Sequence, residues 1–232
     1  PQLDREARVS LVERIQSSSE WNFDFVALLS LATLIAGLGL ILNSASVVIG
    51  AMLVASLMTP IVGSGLGLAQ GNIRLIRDAL GTVVRGFVTA FWIGVMLGVF
   101  ACSELTTEML SRGAPTFLDL IVALVSGVAA AYAMGRPNLL SALPGVAIAA
   151  ALVPPLATSG MAAAQLQWPF AWGALLLFLT NIIAIILGTT TTFWRVGIRP
   201  EKKDKPTPNW PLALLLVLVA MTVGLTTLMS PS

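Results

Sequence analysis

The residues of this sequence that could do chemistry are neutral, and they cluster around prolines inside long apolar segments. A proline removes one backbone N–H and disturbs the turn before it, so polar groups are freed at a depth where water is scarce. Hydroxyl side chains and freed main-chain groups at such a point could bind a small solute or an ion. The candidate substrate-binding residues are Thr59, Pro60, Gly63, Ser64, Pro154, Pro155, Thr158, Ser159 and Asn181.

Catalytic and metal-binding chemistry is not predicted. The chain has no histidine and a single cysteine, Cys102, which excludes a histidine-based dyad, a thiolate metal cluster and an internal disulfide. Neither an HExxH motif nor a phosphate-binding glycine loop occurs, and Ser159 has no histidine to act as its base. We therefore expect no catalytic residue, no metal ligand and no cofactor, and we expect that the protein is not an enzyme.

The composition indicates a membrane protein. Of the 232 residues, 56% are hydrophobic and 10% are charged, whereas soluble domains carry about a quarter charged residues. Such a chain cannot cover a water-facing surface, so we expect the lipid bilayer to be its main partner. The basic residues are those that membrane topology requires, and nothing indicates binding of nucleic acid.

Seven apolar segments are long enough to predict membrane-spanning helices. If each segment crosses once, twelve of the 13 Lys and Arg residues share one side, and Arg112 stands alone on the other. This bias predicts a cytoplasmic-type membrane, with the N-terminus in the cytoplasm and the C-terminus outside. The predicted spans are 25–42, 46–69, 82–103, 118–135, 139–164, 170–194 and 211–229.

An internal repeat is visible when the sequence is shifted by 95 residues. Asn43 then falls on Asn138 and Pro60 on Pro155, and no gap is needed from residue 24 to residue 70. Because each unit contains three spans, the second unit starts on the opposite side of the membrane and is inverted, as in many secondary transporters. The two asparagines mark corresponding helix junctions.

The predicted fold is all-α and transmembrane, with about seven spans, a 3+3 inverted repeat containing proline-broken helices, and one C-terminal helix. Pro60 predicts a break in the second span, and the pair Pro154-Pro155 predicts a break in the fifth. The predicted units are an amphipathic N-terminal helix (1–20), the first repeat (21–110), the inverted second repeat (111–197), a cytoplasmic linker (198–210) and an accessory C-terminal span (211–232).

The sequence resembles an uncharacterised prokaryotic family of hydrophobic membrane domains. Residues 43–61 read NSASVVIGAMLVASLMTPI, which is similar to the VVIGAMLIAPLMGPI motif of that family, and LPGVAIA (143–149), LVPPL (152–156) and FLTN (178–181) also match its pattern. The resemblance covers about residues 20–195. Ser56 stands where the family often has proline, which leaves Pro60 as the main cause of the first break. Many members carry a soluble domain upstream, and the family has no assigned function, so the resemblance implies fold and location rather than a substrate.

The function that the sequence predicts is transport of a small solute or an inorganic ion. Two interrupted helices at corresponding positions are the usual sequence sign of a transport site, which would lie at the midplane between the two breaks. Two alternatives stay open: a passive ion channel on the same repeat, and a non-transporting membrane scaffold or sensor for a soluble domain. The seventh segment is almost purely aliphatic, as in a helix that faces lipid or packs in an oligomer, and we expect a homo-oligomer.

Overall fold

Nine α-helices make up the part of the chain that the computed structural model describes, namely residues 5–19, 21–101, 104–113, 115–135 and 142–198. The helices are α1 (Arg5–Ser18), α2 (Phe23–Ile41), α3 (Ala45–Val54), α4 (Met58–Gln70), α5 (Ile73–Phe100), α6 (Thr107–Leu110), α7 (Phe117–Met134), α8 (Ala142–Ala164) and α9 (Trp168–Val196).

Polar side-chain caps begin three of the long helices, α2, α5 and α7. The Oδ1 atom of Asn22 accepts the N–H of Phe25 at 2.7 Å and starts α2, and the side chain of Asn72 does the same for α5. At α7, Thr116 and Asp119 form a reciprocal capping box. Such caps satisfy the first N–H groups of a helix, which have no partner within it.

The second apolar segment is broken into α3 and α4, whose axes differ by 58°. Ala55 is extended, with φ −67° and ψ 127°, and α4 resumes at Met58, so that Pro60 occupies its first turn. A proline is tolerated there because that N–H would lack a helical partner anyway, whereas its ring conflicts with the carbonyl of residue 56 in a continuous helix. The interruption therefore lies three to five residues before Pro60.

The two prolines of the fifth segment do not interrupt their helix. The sequence predicts a break at Pro154 and Pro155, and this prediction is wrong, because α8 continues as one helix through both of them. Each proline removes the N–H that would bond to the carbonyl four residues earlier. Asn181 of α9 replaces one of these donors, since its Nδ2 donates to the carbonyl of Ala151 at 2.8 Å. A neighbouring helix thus compensates part of the cost of the prolines.

Four of these helices, α2, α5, α7 and α9, are long and apolar enough to cross a membrane, and α3 with α4 would make a fifth crossing. Their outward faces carry large apolar side chains such as Leu31, Val84 and Val125, which are 52, 60 and 58% exposed. Bare apolar faces of this kind are typical of helices in lipid, which indicates a membrane protein. The count of seven spans stays a prediction, and the seventh lies outside the described residues.

The helix core is built by close approaches at glycines. Gly65 of α4 packs on Thr189 of α9, and Gly160 of α8 packs on the backbone of α5 at Gly94. Gly127 of α7 likewise lies against the main chain of α9. Small residues at helix contacts let backbones approach closely, which favours association of helices in a membrane. The pairs α4–α9 and α5–α8 hold the two halves of the chain together.

Several backbone features recur after 95 residues. Gly71 and Leu166, which end α4 and α8, both have a positive φ, 68° and 60°. In each case the next residue donates its N–H to the carbonyl five residues before it, at 2.8 and 3.0 Å. The following helices, α5 and α9, begin at Ile73 and Trp168. Leu166 corresponds to Gly71 under this shift, and a leucine in the left-handed region is strained. The left-handed turn is therefore kept at both places, even where the residue does not favour it.

Candidate polar cavity between α7, α8 and α9

A cavity of about 250 Å³ lies where α7, α8 and α9 meet the segment that precedes α7. Polar and apolar groups share its wall. Its depth can be judged from Asn181, which is the fourteenth of the 29 residues of α9 and so lies about 20 Å from either end of that helix. The cavity therefore reaches the middle of a helix long enough to cross a bilayer. Its lining residues are Ser111, Arg112, Asp119, Val122, Ala151, Pro155, Leu177 and Asn181.

The side-chain amide of Asn181 lines the inner end of the cavity. The side chain is 3% exposed, and its Nδ2 bonds to the carbonyl of Ala151, the group that lost its helical donor to Pro155. A carbonyl oxygen can only accept, so the nitrogen must face it and the orientation of the amide follows. The Oδ1 atom is then directed elsewhere, and it is buried without a hydrogen-bond partner.

Thr158 carries a second buried oxygen without a partner. Its side chain is fully buried, and its Oγ1 makes no hydrogen bond. Thr158 follows Ala151 by seven residues, two helical turns, so both lie on the same face of α8. Since a carbonyl points forward along a helix and a side chain points back, the two oxygens are separated by about one turn. Buried polar atoms are almost always bonded, so the hydroxyl of Thr158 is an exception, but Thr158 is not one of the residues that line the cavity.

The charged groups of the cavity lie at its other end. Arg112 forms an ion pair with Glu108, with 2.8 Å between Nη1 and Oε2. Asp119 accepts hydrogen bonds from the N–H and the hydroxyl of Thr116, at 2.8 and 2.6 Å, through one carboxylate oxygen. The arginine is therefore neutralised by a carboxylate, and the group as a whole carries one net negative charge.

The predicted residues of the first repeat lie elsewhere, against α1. Ser19, which directly follows α1, donates to the carbonyl of Thr59 at 3.3 Å, and Gly63 lies so close to Ser19 that a Cβ there would overlap its hydroxyl. Pro60 is buried in the first turn of α4, and Ser64 donates to its carbonyl at 2.9 Å. These residues do not line the cavity, so the structure does not join the two predicted groups into one pocket.

The remaining predicted residues have defined positions. Pro154 is buried in α8, and Ser159 donates to the carbonyl of Ala171 at 2.9 Å, which ties α8 to the start of α9. Asn43 joins α2 to α3 with a positive φ of 51°, and its Oδ1 accepts the N–H of Glu108 at 3.0 Å. Asn138 lies outside the described residues.

Sequence reasoning missed the outer part of the cavity. It treated Arg112 only as a marker of topology and gave Ser111 and Asp119 no place in the site. Two signals were available: Arg112 follows Glu108 by four residues, the spacing of a helical ion pair, and Thr116 precedes Asp119 by three, the spacing of a capping box. These signals indicate an ordered segment in front of α7.

Comparison with known proteins gives a family and no function. A family model described as "Domain of unknown function (DUF389)" matches residues 52–187, which is more than half of the chain. A relative from Methanocaldococcus jannaschii, the "Uncharacterized protein MJ0678", is 26% identical over 226 residues, covering 96% of this chain and 69% of the relative. No solved structure matches the chain significantly. The chain therefore belongs to the family described as domain of unknown function DUF389.

Proposed function

We propose that the protein is a membrane transporter of a small solute or an inorganic ion, and that it has no enzymatic activity. The observation that carries the proposal is the polar cavity at the middle of α9, where the Oδ1 atom of Asn181 is buried without a partner beside a proline-modified stretch of α8. An unsatisfied polar group in hydrocarbon costs free energy, so its retention favours a ligand that binds there.

Contacts that exchange between the two halves of the chain support an inverted repeat, and with it this function. A shift of 95 residues maps Gly65 onto Gly160 and Gly94 onto Thr189, so the Gly65–Thr189 contact and the Gly160–Gly94 contact exchange under the repeat. A contact that exchanges in this way is expected when two similar three-helix units are related by a two-fold axis. Such units, related by an axis in the membrane plane, characterise many secondary transporters, which bind substrate near the midplane at the interface of the repeats.

The contacts of α1 and α6 agree with the proposed topology. Arg14 of α1 donates to the carbonyl of Met134 at the end of α7, which is on the cytoplasmic side in the single-pass arrangement. On the opposite side, Thr106 before α6 donates to the carbonyl of Leu40 at the end of α2, at 2.7 Å. We assign the protein to a prokaryotic cytoplasmic membrane with a cytoplasmic N-terminus and an external C-terminus, so that Arg112 and the cavity mouth face outward.

A difference between the two halves suggests how access could alternate. The cavity adjoins α8, whereas in the first half α4 is covered by α1 and by Ser19, the residue after α1; Leu11, Ile15 and Ser19 are buried. This arrangement corresponds to a state that is open to the outside and closed to the cytoplasm. Rocking of one repeat against the other would convert this state into one that is open to the cytoplasm and closed to the outside. The exposed apolar faces of α2, α5 and α7 are available for lipid and for a second copy of the chain, and we propose a homo-oligomer.

Flux measurements test the proposal. The purified protein in proteoliposomes would be offered inorganic anions, monovalent cations and small metabolites. We expect saturable flux of one class, and we expect Asn181→Leu to lose it while Thr180→Val keeps it, because Thr180 bonds only to carbonyls of its own helix. Ion currents too large for a carrier would indicate a channel instead. Absence of flux across the panel, from protein shown to be folded and inserted, would favour a scaffold.

A further inference from the structure

We infer that α1 is a cytoplasmic gate, a helix that must leave α4 before the protein can open to the cytoplasm. The inference rests on the proposed transport function and names the element that controls access on the side opposite the cavity. It follows from how α1 is held. Leu11 and Ile15 of α1 and Ser19 directly after it recur every four residues and are buried, whereas Glu13 and Gln16 on the other faces are exposed. One narrow face therefore carries the contact.

The end of α1 is fastened to α4 by a serine and a glycine. Ser19 donates to the carbonyl of Ile15 at 2.6 Å and to the carbonyl of Thr59 at 3.3 Å. Gly63 lies against this serine and against the side chain of Ile15. The contact is close but small, and α1 is rich in polar and charged residues. Segments with few buried apolar contacts separate locally at low cost, so α1 can leave α4 without unfolding the other helices.

The internal repeat gives α1 a counterpart on the outer side. A shift of 95 residues maps residues 9–18 onto residues 104–113, the segment that carries Ser111 and Arg112 at the cavity. The two segments thus occupy corresponding places, one packed on α4 and the other beside the cavity that adjoins α8. In two inverted units, corresponding places face opposite sides of the membrane. The outer segment borders an open cavity, and α1 covers the matching place on the cytoplasmic side.

The place that corresponds to the inner cavity is filled in the first half. The shift maps Asn181 onto Gly86. A Cβ at Gly86 would lie 3.0, 3.2 and 3.3 Å from side-chain atoms of Leu29, Leu57 and Phe25, which leaves no room for an amide there. The half beneath α1 is therefore packed shut as well as covered. Opening it to the cytoplasm requires that α1 leave α4 and that these apolar side chains repack.

Release of α1 can be measured without transport, on the purified full chain in detergent with Cys102 replaced by alanine. Ser19→Cys places a thiol at the buried contact, and a water-soluble maleimide reaches it when α1 leaves α4. Gln16→Cys, at an exposed position, is the control for full access. We expect Ser19→Cys to react about tenfold more slowly than the control or slower still. Ile15→Ala should raise the rate for Ser19→Cys about tenfold, because it removes buried packing between α1 and α4.

A disulfide tests whether this release is needed for transport. A Cβ at Gly63 would lie 3.2 Å from the Cβ of Ser19, and disulfides join Cβ atoms about 3.5–4.5 Å apart, so a small shift lets Ser19→Cys/Gly63→Cys form a bond. In proteoliposomes we expect mild oxidation of this variant to abolish flux of the solute that the wild type carries, and a reductant to restore it. The two single-cysteine variants should keep their flux under oxidation.

The outcomes separate the gate from the transport function. Full flux through the completely oxidised double variant would overturn the inference. Labelling of Ser19→Cys as fast as that of Gln16→Cys, or unchanged by Ile15→Ala, would overturn it as well. Absence of flux from both the oxidised and the reduced protein, together with slow labelling that Ile15→Ala accelerates, would count against the transport function, while the release of α1 from α4 would stand.

Discussion

The bond between Asn181 and Ala151 gives a prediction in the form of a double-mutant cycle. Asn181→Leu removes the donor that replaces the missing N–H of Pro155. Leaving a buried carbonyl without a donor costs about 1–3 kcal/mol, and hydrogen bonds between membrane helices are worth about 0.6 kcal/mol on average and up to about 1.7. The unpartnered Oδ1 atom is removed at the same time, which offsets part of the loss. We therefore expect the free energy of unfolding to fall by about 1 kcal/mol.

Pro155→Ala changes this cost, because it returns a main-chain N–H that can bond to the carbonyl of Ala151. In that background Asn181→Leu should cost almost nothing, so the coupling free energy should be about 1 kcal/mol. The assay is equilibrium unfolding of the wild type, the two single variants and the double variant in mixed micelles with increasing SDS, followed by circular dichroism. If the two costs add to within about 0.3–0.5 kcal/mol, the amide does not act as the substitute donor and the reasoning fails.

Three further predictions concern packing and caps. Gly160→Ala should destabilise the protein by about 2 kcal/mol or more, because its Cβ would meet the backbone of α5. Gly81→Ala is the control: it has open space around it and should be neutral or stabilising by up to about 1 kcal/mol. Thermal unfolding of the two variants compares these effects. Gly63→Ala should displace Ser19 and loosen α1, seen as faster proteolysis within α1, and unchanged proteolysis would contradict the packing. Thr116→Ala should cost about 1 kcal/mol through loss of the capping box, and an unchanged Tm would show that the cap contributes little.

The helices that the sequence predicted best are those whose apolar runs end at caps. The span 118–135 differs from α7 by one residue at each end, because Thr116 stops the pattern where the helix starts. The start of α5 at Ile73 was missed by nine residues, since Arg74 and Arg77 interrupt the apolar run but are fully compatible with a helix. Apolar composition marks what lies in lipid, and a helix can extend beyond it.

The candidate site was predicted in part. Asn181 and Pro155 were selected from the sequence and line one cavity, because a mid-span amide and a mid-span proline both leave polar groups in hydrocarbon. The continuity of α8 could not be predicted, since it depends on a hydrogen bond from a residue 30 positions away from Ala151. The contribution of Arg112 depends in the same way on how the segment before α7 folds back over the cavity.

The most direct test of the transport proposal is block of flux at the mouth of the cavity. With Cys102, the single cysteine, replaced by alanine, Ser111→Cys would be treated from outside with a membrane-impermeant thiol reagent during a flux assay in proteoliposomes. Leu166→Cys, on the exposed turn between α8 and α9, is the control. The account predicts that modification blocks flux through the Ser111→Cys protein and leaves the Leu166→Cys protein unchanged. Full flux after complete modification of Ser111→Cys would contradict a transport path through this cavity.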